Sequence, residues 1–208
     1  MKRIILLTSL LLMVFFLPAQ VVMRLNDETP EHFASRFKPY NSVITYRVIP
    51  ATWNNKSVIF AFYDQEFQLP KQKDSLQQGD HRIIAIMFAE GEKNHFTKVL
   101  VDLIGSEGGS PVIDTLFFLN ADSDTLKELA LVVSWEQKHY DVNGTLYGTL
   151  VFDNMQAKEQ EKLTILKEIS EKLDGGCECT WKDGTRKKAK FKTAAEITKE
   201  LERLGYKQ

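Results

Sequence analysis

The sequence predicts an α+β fold that consists mainly of an antiparallel β-sheet domain with a C-terminal helix–hairpin–helix extension. Runs of β-branched and aromatic residues recur between residues 43 and 153, and polar breakers separate them, as is typical of successive strands. No helical pattern alternates with these runs, which disfavours a doubly wound parallel sheet. Beyond residue 154 the chain becomes rich in Lys and Glu with apolar residues every three or four positions, which indicates helix.

The first 20 residues have the layout of a secretory signal peptide. Lys2 and Arg3 precede an apolar run of 14 residues, Ile4–Leu17, whereas a membrane-spanning helix needs about 20. Cleavage is expected after Ala19 or Gln20. We therefore expect a periplasmic or secreted protein without a stable membrane span, divided into a signal peptide (1–20), a β-rich domain (21–154) and the extension (155–208).

Charge excludes one class of partner. The chain has 27 Lys and Arg against 28 Asp and Glu, and removal of the signal peptide leaves 25 against 28, a net charge of −3. Nucleic-acid binding requires a clustered positive surface, so nucleic acid is not expected as a ligand.

The elements of the β-rich domain follow from local signals. Thr29 as N-cap and Pro30 in the first turn predict a short helix over 27–37. Residues 140–153 predict a hairpin that turns at Asn143-Gly144, because this dipeptide tolerates the positive φ angles of a tight turn. Six further strands are predicted between the helix and the hairpin: Val43–Ile49, Ser57–Tyr63, Arg82–Ala89, Phe96–Ile104, Val112–Leu119 and Leu126–Trp135.

The extension carries its own start and stop signals. An apolar stripe predicts a helix over 155–173, which Gly175-Gly176 ends. Two short strands, Cys177–Trp181 and Arg186–Phe191, are expected around an Asp183-Gly184 turn. A final helix begins at Thr193, where Glu196 three residues later completes a capping box. Four residues form the stripe of the first helix: Leu163, Leu166, Ile169 and Leu173.

The loop that starts at Asn120 is the candidate metal site. Side-chain oxygens alternate along it, and such a loop can turn them toward one centre, together with the backbone carbonyl of Leu126. Ca²⁺ prefers six to eight oxygen ligands, so it is the cofactor that this pattern suggests. The alternative is a plain polar turn that side-chain hydrogen bonds stabilise without a metal. The predicted side-chain ligands are Asn120, Asp122, Asp124 and Glu128.

Residues 112–153 resemble an FG-GAP (integrin α-like) repeat, in which a calcium loop connects two strands. The apolar strand Leu131–Trp135 and the segment Asp141–Tyr147 continue the resemblance into a following hairpin, and a calcium-stabilised loop is what it implies. Thr125 replaces the glycine of the family, and Asn120 replaces its first Asp. The whole chain also resembles small exported proteins of unknown function from Bacteroidetes-type bacteria.

Cys177 and Cys179 are the only cysteines, and their spacing leaves three alternatives open. In an extended strand their side chains share one face and their Cα atoms lie about 6.5–7 Å apart, at the outer edge of disulfide geometry. They form a local disulfide, remain unpaired or buried thiols, or serve a redox or intermolecular role.

No catalytic motif is present, which favours an exported, non-enzymatic binding or envelope-associated module with an unknown protein or envelope partner. Two alternatives remain. One is an exported hydrolase whose active residues have no local motif. The other is an inhibitor or immunity-type protein that presents a loop, Lys71–Asp80 or Gly105–Pro111, to an enzyme.

Overall fold

The computed structural model describes residues 20–67, 80–122, 124–155 and 160–208. Residues 1–19 of the predicted signal peptide and all but the last residue of the predicted Lys71–Asp80 loop lie outside these residues. Within them, no helix has both the length and the apolar character that a membrane crossing requires. About half of the described chain forms two antiparallel sheets, so the predicted antiparallel architecture is confirmed.

The first sheet contains six strands in the order β1-β6-β5-β4-β2, with β3 also paired to β4. Helix α1, Pro30–Arg36, follows β1, and the Thr29 side chain caps it by accepting from the His32 N–H. The prediction for this helix start is therefore confirmed. The strands are β1 Val21–Met23, β2 Ser42–Ile44, β3 Ile49–Trp53, β4 Lys56–Phe67, β5 Asp80–Glu90 and β6 His95–Ile104.

The second sheet contains four strands in the order β10-β9-β8-β7. Its strands are β7 Pro111–Leu119, β8 Glu128–Lys138, β9 Val142–Phe152 and β10 Gly176–Trp181. Helix α2, Lys167–Lys172, precedes β10, and helix α3, Ala194–Arg203, comes near the end of the chain. The predicted capping box of Thr193 and Glu196 is present at the start of α3.

Three apolar clusters arrange these elements in layers. The largest lies between the sheets and joins residues such as Phe60 and Met87 of the first to Leu129 and Leu131 of the second. A second cluster packs α1, through Phe33, on the outer face of the first sheet. A third packs α2 and α3 on the outer face of the second sheet. Both faces of each sheet are thus covered, which explains the unbroken apolar runs of β4, β5 and β8.

Two strand predictions are wrong. The predicted strand Val43–Ile49 is divided, because β2 and β3 pair with opposite ends of β4. The predicted hairpin over 140–153 is one straight strand, since Asn143 pairs with Lys138 on one side and Thr180 on the other. Gly144 is needed there for close packing, because an added Cβ would overlap the Glu178 carbonyl.

The helix–hairpin–helix arrangement is not confirmed. Residues 156–159 of the predicted helix over 155–173 lie outside the described residues. Of the rest, only α2 is helical, and residues 161–166 form an extended strap instead. The strap contacts the first sheet through Leu163 N–H to Leu100 O, 2.9 Å, and the second through Leu166 N–H to Val151 O, 2.8 Å. Its apolar residues divide between clusters, with Leu163 between the sheets and Leu166 on the outer face.

The segment that follows β10 also pairs with it over fewer residues than predicted. The Asp183-Gly184 turn is present, with Gly184 at φ 87°. Beyond it, Lys187 exchanges two backbone hydrogen bonds with Cys179, at 2.9 and 3.2 Å, and Arg186 forms one bridge with Thr180. No strand extends over Arg186–Phe191.

Candidate metal centre

The register of the second sheet brings three carboxylates together at one end. The candidate loop joins β7 to β8, and the last residue of β7, Leu119, pairs with Glu128. Phe152, at the end of β9, pairs with Leu129. One step further along this antiparallel ladder, Asp153 comes alongside Glu128.

Asp122, Glu128 and Asp153 form the resulting cluster. Each offers a carboxylate oxygen, and these oxygens all lie within 4.8 Å of one another. Two members, Asp122 and Glu128, are among the predicted ligands. Asp153 is new, because its place beside Glu128 depends on the pairing of β8 with β9. Its position directly after a strand was the available signal.

Glu128 is the central feature of this cluster because its side chain is fully buried, with 0% exposure. Oε2 accepts a hydrogen bond from the Ala121 N–H. Oε1 is buried and has no hydrogen-bond partner among the residues that the structure describes. A buried carboxylate oxygen without a partner is costly, because no interaction replaces its lost hydration.

The surroundings disfavour the charged form of Glu128. Burial, which is the largest cause, and the negative charges of Asp122 and Asp124 together raise the pKa of its carboxyl to about 7, although the hydrogen bond from the Ala121 N–H lowers the pKa. Burial disfavours the charged form of a carboxyl, neighbouring negative charges do the same, and a hydrogen bond donated to the carboxylate favours the charged form. A cation bound beside Glu128 would lower the pKa of its carboxyl, and would thus oppose the effect of the negative charges of Asp122 and Asp124.

Asp122 and Asp124 also shape the loop. Asp122 Oδ1 accepts from the Asp124 N–H at 2.8 Å, and Asp124 Oδ1 accepts from the Leu126 N–H at 2.7 Å. Asp124 Oδ2 lies 3.4 Å from Nδ2 of Asn154, which also donates to Asp153 Oδ1 at 3.1 Å. Asp124 is therefore next to the cluster without belonging to it, and Leu126 contributes its N–H to the turn.

Asn120 is the second residue of the loop with a buried oxygen that lacks a partner. Its Nδ2 donates to the Asp124 carbonyl at 3.3 Å, whereas its Oδ1 has no hydrogen-bond partner in the described ranges. Two buried loop oxygens, Asn120 Oδ1 and Glu128 Oε1, thus lack donors. Both are hard oxygen ligands of the kind that Ca²⁺ and Mg²⁺ prefer.

Two other parts of the chain hold the loop. The turn between β3 and β4 contributes Asn54, whose side chain accepts from the Lys127 N–H and donates to the Lys127 carbonyl, both at 2.9 Å. Trp53 Nε1 donates to the same carbonyl at 2.6 Å. At the opposite end of the loop, the Gln208 side chain bonds to both the N–H and the carbonyl of Asn120, at 3.1 and 2.8 Å.

The cysteines lie on a different strand, β10. Cys177 and Cys179 are disulfide-bonded in the structure, with Cα atoms 5.3 Å apart. This separation is shorter than the extended-strand spacing predicted above and falls within the usual range for disulfides. Oxidation of this pair in the cell stays a prediction.

A second polar group lies in the first sheet. His81 Nδ1 is 3.0 Å from Asp64 Oδ1. The Ser106 hydroxyl lies within hydrogen-bonding distance of the Asp80 carboxylate and of the His81 backbone carbonyl.

Loop Gly105–Pro111, the predicted inhibitory loop, is fixed by β8. Trp135 Nε1 donates to the Gly105 carbonyl at 2.9 Å, and Gln137 Nε2 donates to the Glu107 carbonyl at 2.6 Å.

The chain as a whole matches no protein-family model, no curated protein and no solved structure.

Proposed function

We propose that the protein is an exported, non-enzymatic binding or envelope-associated module that binds Ca²⁺ at the end of its second sheet. The observation that carries this proposal is the fully buried Glu128 carboxylate, which lies beside Asp122 and Asp153 and has one oxygen without a partner in the part of the chain that the structure describes. A divalent cation would satisfy that oxygen and would offset the repulsion among three carboxylates.

The donor set favours Ca²⁺ over other metals. All members of the cluster are oxygen donors, which disfavours the softer metals that bind sulfur and imidazole. Asn120 Oδ1 and water would complete the six to eight ligands that Ca²⁺ takes. Mg²⁺ substitutes poorly in this proposal, because it requires a tighter octahedral arrangement than an irregular loop supplies.

Export is consistent with such a site. The signal peptide that the sequence predicts would deliver the protein to the periplasm or the medium, and sites of the extracellular class bind Ca²⁺ with Kd values of about 10⁻⁴–10⁻³ M. In this setting the ion serves as a structural ligand of the module, whose partner is an unknown protein or envelope component.

The extension contributes support for the loop in this proposal. Helix α2, the Asp183-Gly184 turn and helix α3 follow one another in the order that a helix–hairpin–helix extension requires. Ile197 and Leu201 of α3 pack in one cluster with Leu119 and Ala121, the residues on either side of Asn120. We infer that the extension holds the loop in its cation-binding shape.

Calcium titration by isothermal calorimetry tests the site. The purified protein is expected to bind one Ca²⁺. Asp122→Asn or Asp153→Asn should each weaken binding at least about tenfold, because each replaces a negatively charged ligand of the ion by a neutral one. Asp141→Asn is the matched control, because Asp141 is exposed and lies beyond the other end of β8. An Asp153→Asn protein with unchanged affinity would contradict the proposed ligand set.

A further inference from the structure

A cavity opens between the two sheets next to the candidate metal centre, and its volume is about 230 Å³. Leu126 of the loop and Asn154, which contacts two of the acidic residues, both form part of its wall. The apolar part of the wall comes from β3, β4 and β5 of the first sheet, from the β7–β8 loop and from the segment that follows β9: Trp53, Val58, Met87, Ala89, Leu126 and Met155.

Apart from Lys56, the polar side chains of the cavity wall form hydrogen bonds with the β7–β8 loop or with the acidic cluster. Both atoms of the Asn54 amide and the indole N–H of Trp53 bond to the backbone of Lys127. Asn154 Nδ2 donates toward Asp124 and Asp153. The wall that remains for a ligand is therefore mainly apolar, with two methionines that can adapt their side chains to different shapes.

The size of the cavity suits a small organic molecule. An apolar protein cavity of about 150 Å³ is large enough to bind benzene. A cavity of about 230 Å³ has room for a short alkyl chain or an aryl group, and burial of such a group is favourable by about 0.8 kcal/mol for each methylene.

Lys56 lies where this cavity meets a second, wider depression. The depression, of about 740 Å³, shares Lys56, Ala89 and Met155 with the cavity. Lys56 is exposed, and no carboxylate of the described residues forms an ion pair with it. A cation on a flexible chain at the mouth of an apolar cavity complements a ligand with an apolar body and an anionic end.

We infer that this cavity is a binding site for a short aliphatic monocarboxylate, with the alkyl chain between Trp53 and Met87 and the carboxylate at Lys56. The inference is independent of the calcium proposal, because none of the three clustered carboxylates is needed to hold the alkyl chain.

Calorimetric titration of the full protein with octanoate, octanol and octylammonium tests this site in calcium-free buffer. Octanoate should bind saturably at one site, octanol more weakly, and octylammonium most weakly. From hexanoate to octanoate, each added methylene should tighten binding about fourfold if it enters the cavity.

Two variants locate the site. Met155→Trp should fill the half-buried rim and weaken octanoate at least tenfold, whereas Met23→Trp, at a methionine that is 50% exposed on β1, should have no effect. Lys56→Gln should weaken octanoate about two- to fivefold, the range of an exposed ion pair, and leave octanol unchanged.

The inference is overturned if octanoate shows no saturable binding, if Met155→Trp binds it as tightly as the unaltered protein, or if octylammonium binds as tightly as octanoate. A circular dichroism spectrum of each variant that matches the parent protein shows that lost binding does not reflect unfolding.

Discussion

At the scale of single residues, Glu128 combines two opposed properties. Its complete burial and its acidic neighbours destabilise the ionised form, and they raise the pKa of its carboxyl to about 7. The same isolation leaves one oxygen available to a cation. The ionised residue is therefore unfavourable without a metal, whereas the Ca²⁺ that we propose would make it favourable.

Replacement of Glu128 by Gln should consequently have opposite effects in the two states. The amide keeps an oxygen for the Ala121 N–H but carries no charge, so without calcium at pH 8 the variant should be more stable by about 1–3 kcal/mol. In saturating calcium the order should reverse, because the variant loses a charged ligand. Urea unfolding of the variant and the unaltered protein, in chelator and in calcium, measures the two differences in stability. A variant that is less stable than the unaltered protein in both buffers would contradict this account of Glu128.

The pH dependence of the metal-free protein has a definite sign. The folded-state pKa of Glu128 lies above the ordinary value of 4.5, so between pH 4.5 and 7 the folded state holds more protons than the unfolded state. Stability in chelator should therefore fall as the pH rises through this window, by up to about 1.4 kcal/mol for each unit of pKa difference. Glu128→Gln should remove the part of this pH dependence that Glu128 causes. Urea unfolding of the variant and the unaltered protein at pH 5 and 7.5 measures the difference.

At the scale of elements, the β7–β8 loop depends on parts of the chain that are distant in sequence. Asn54 holds its end through Lys127, and Gln208 holds its start through Asn120. Leu119 and Ala121 anchor it in the cluster under α2 and α3. The loop is thus shaped by both sheets and by the C-terminal helix.

Gln208→Ala should weaken calcium binding without unfolding the protein. Two hydrogen bonds to the Asn120 backbone are lost, each worth about 0.5–1.5 kcal/mol, and part of that energy fixes the position of the Asn120 side chain. We expect a three- to tenfold weaker Ca²⁺ affinity by calorimetry, with Lys207→Ala as the exposed neighbouring control. Equal affinities in the two variants would show that the contact does not position the site.

Short sequence motifs predicted correctly those features whose hydrogen bonds join residues that are close together in the chain. The Thr29 cap, the capping box at Thr193 and the Asp183-Gly184 turn were all predicted, because their hydrogen bonds span a few residues. Asn143-Gly144 shows the opposite case. Its turn propensity was overridden by pairing with strands on both sides, which the sequence around it does not reveal.

At the scale of the whole molecule, two stacked sheets with helices outside them determine what the sequence could not predict. The apolar stripe of 163–173 indicated one helix face, but its residues are divided between two clusters on opposite sides of the second sheet. The sequence indicated only part of the carboxylate cluster for the same reason. Asp122 and Glu128 share a loop, whereas Asp153 joins them only through the pairing of β8 with β9.

Export should leave a defined N-terminus. If the predicted signal peptide is removed, the mature protein begins at Gln20 or Val21, immediately before or at the start of β1, whose Val22 is buried. N-terminal sequencing of protein from the periplasm or medium measures this directly. Recovery of a membrane-bound product that begins at Met1 would contradict the predicted cleavage.

The most direct test of the calcium site is the melting temperature of the protein in chelator and in calcium. A ligand that binds only the folded state at a hundredfold excess over its Kd stabilises that state by about 2.7 kcal/mol, which corresponds to about 5–10 °C for a chain of this size. We predict a rise of this order with Ca²⁺, a much smaller rise with Mg²⁺, and neither in the double variant Asp122→Asn, Asp153→Asn. Superimposable melting curves of the unaltered protein in chelator and in millimolar calcium would contradict the proposal and reduce the β7–β8 loop to a polar turn.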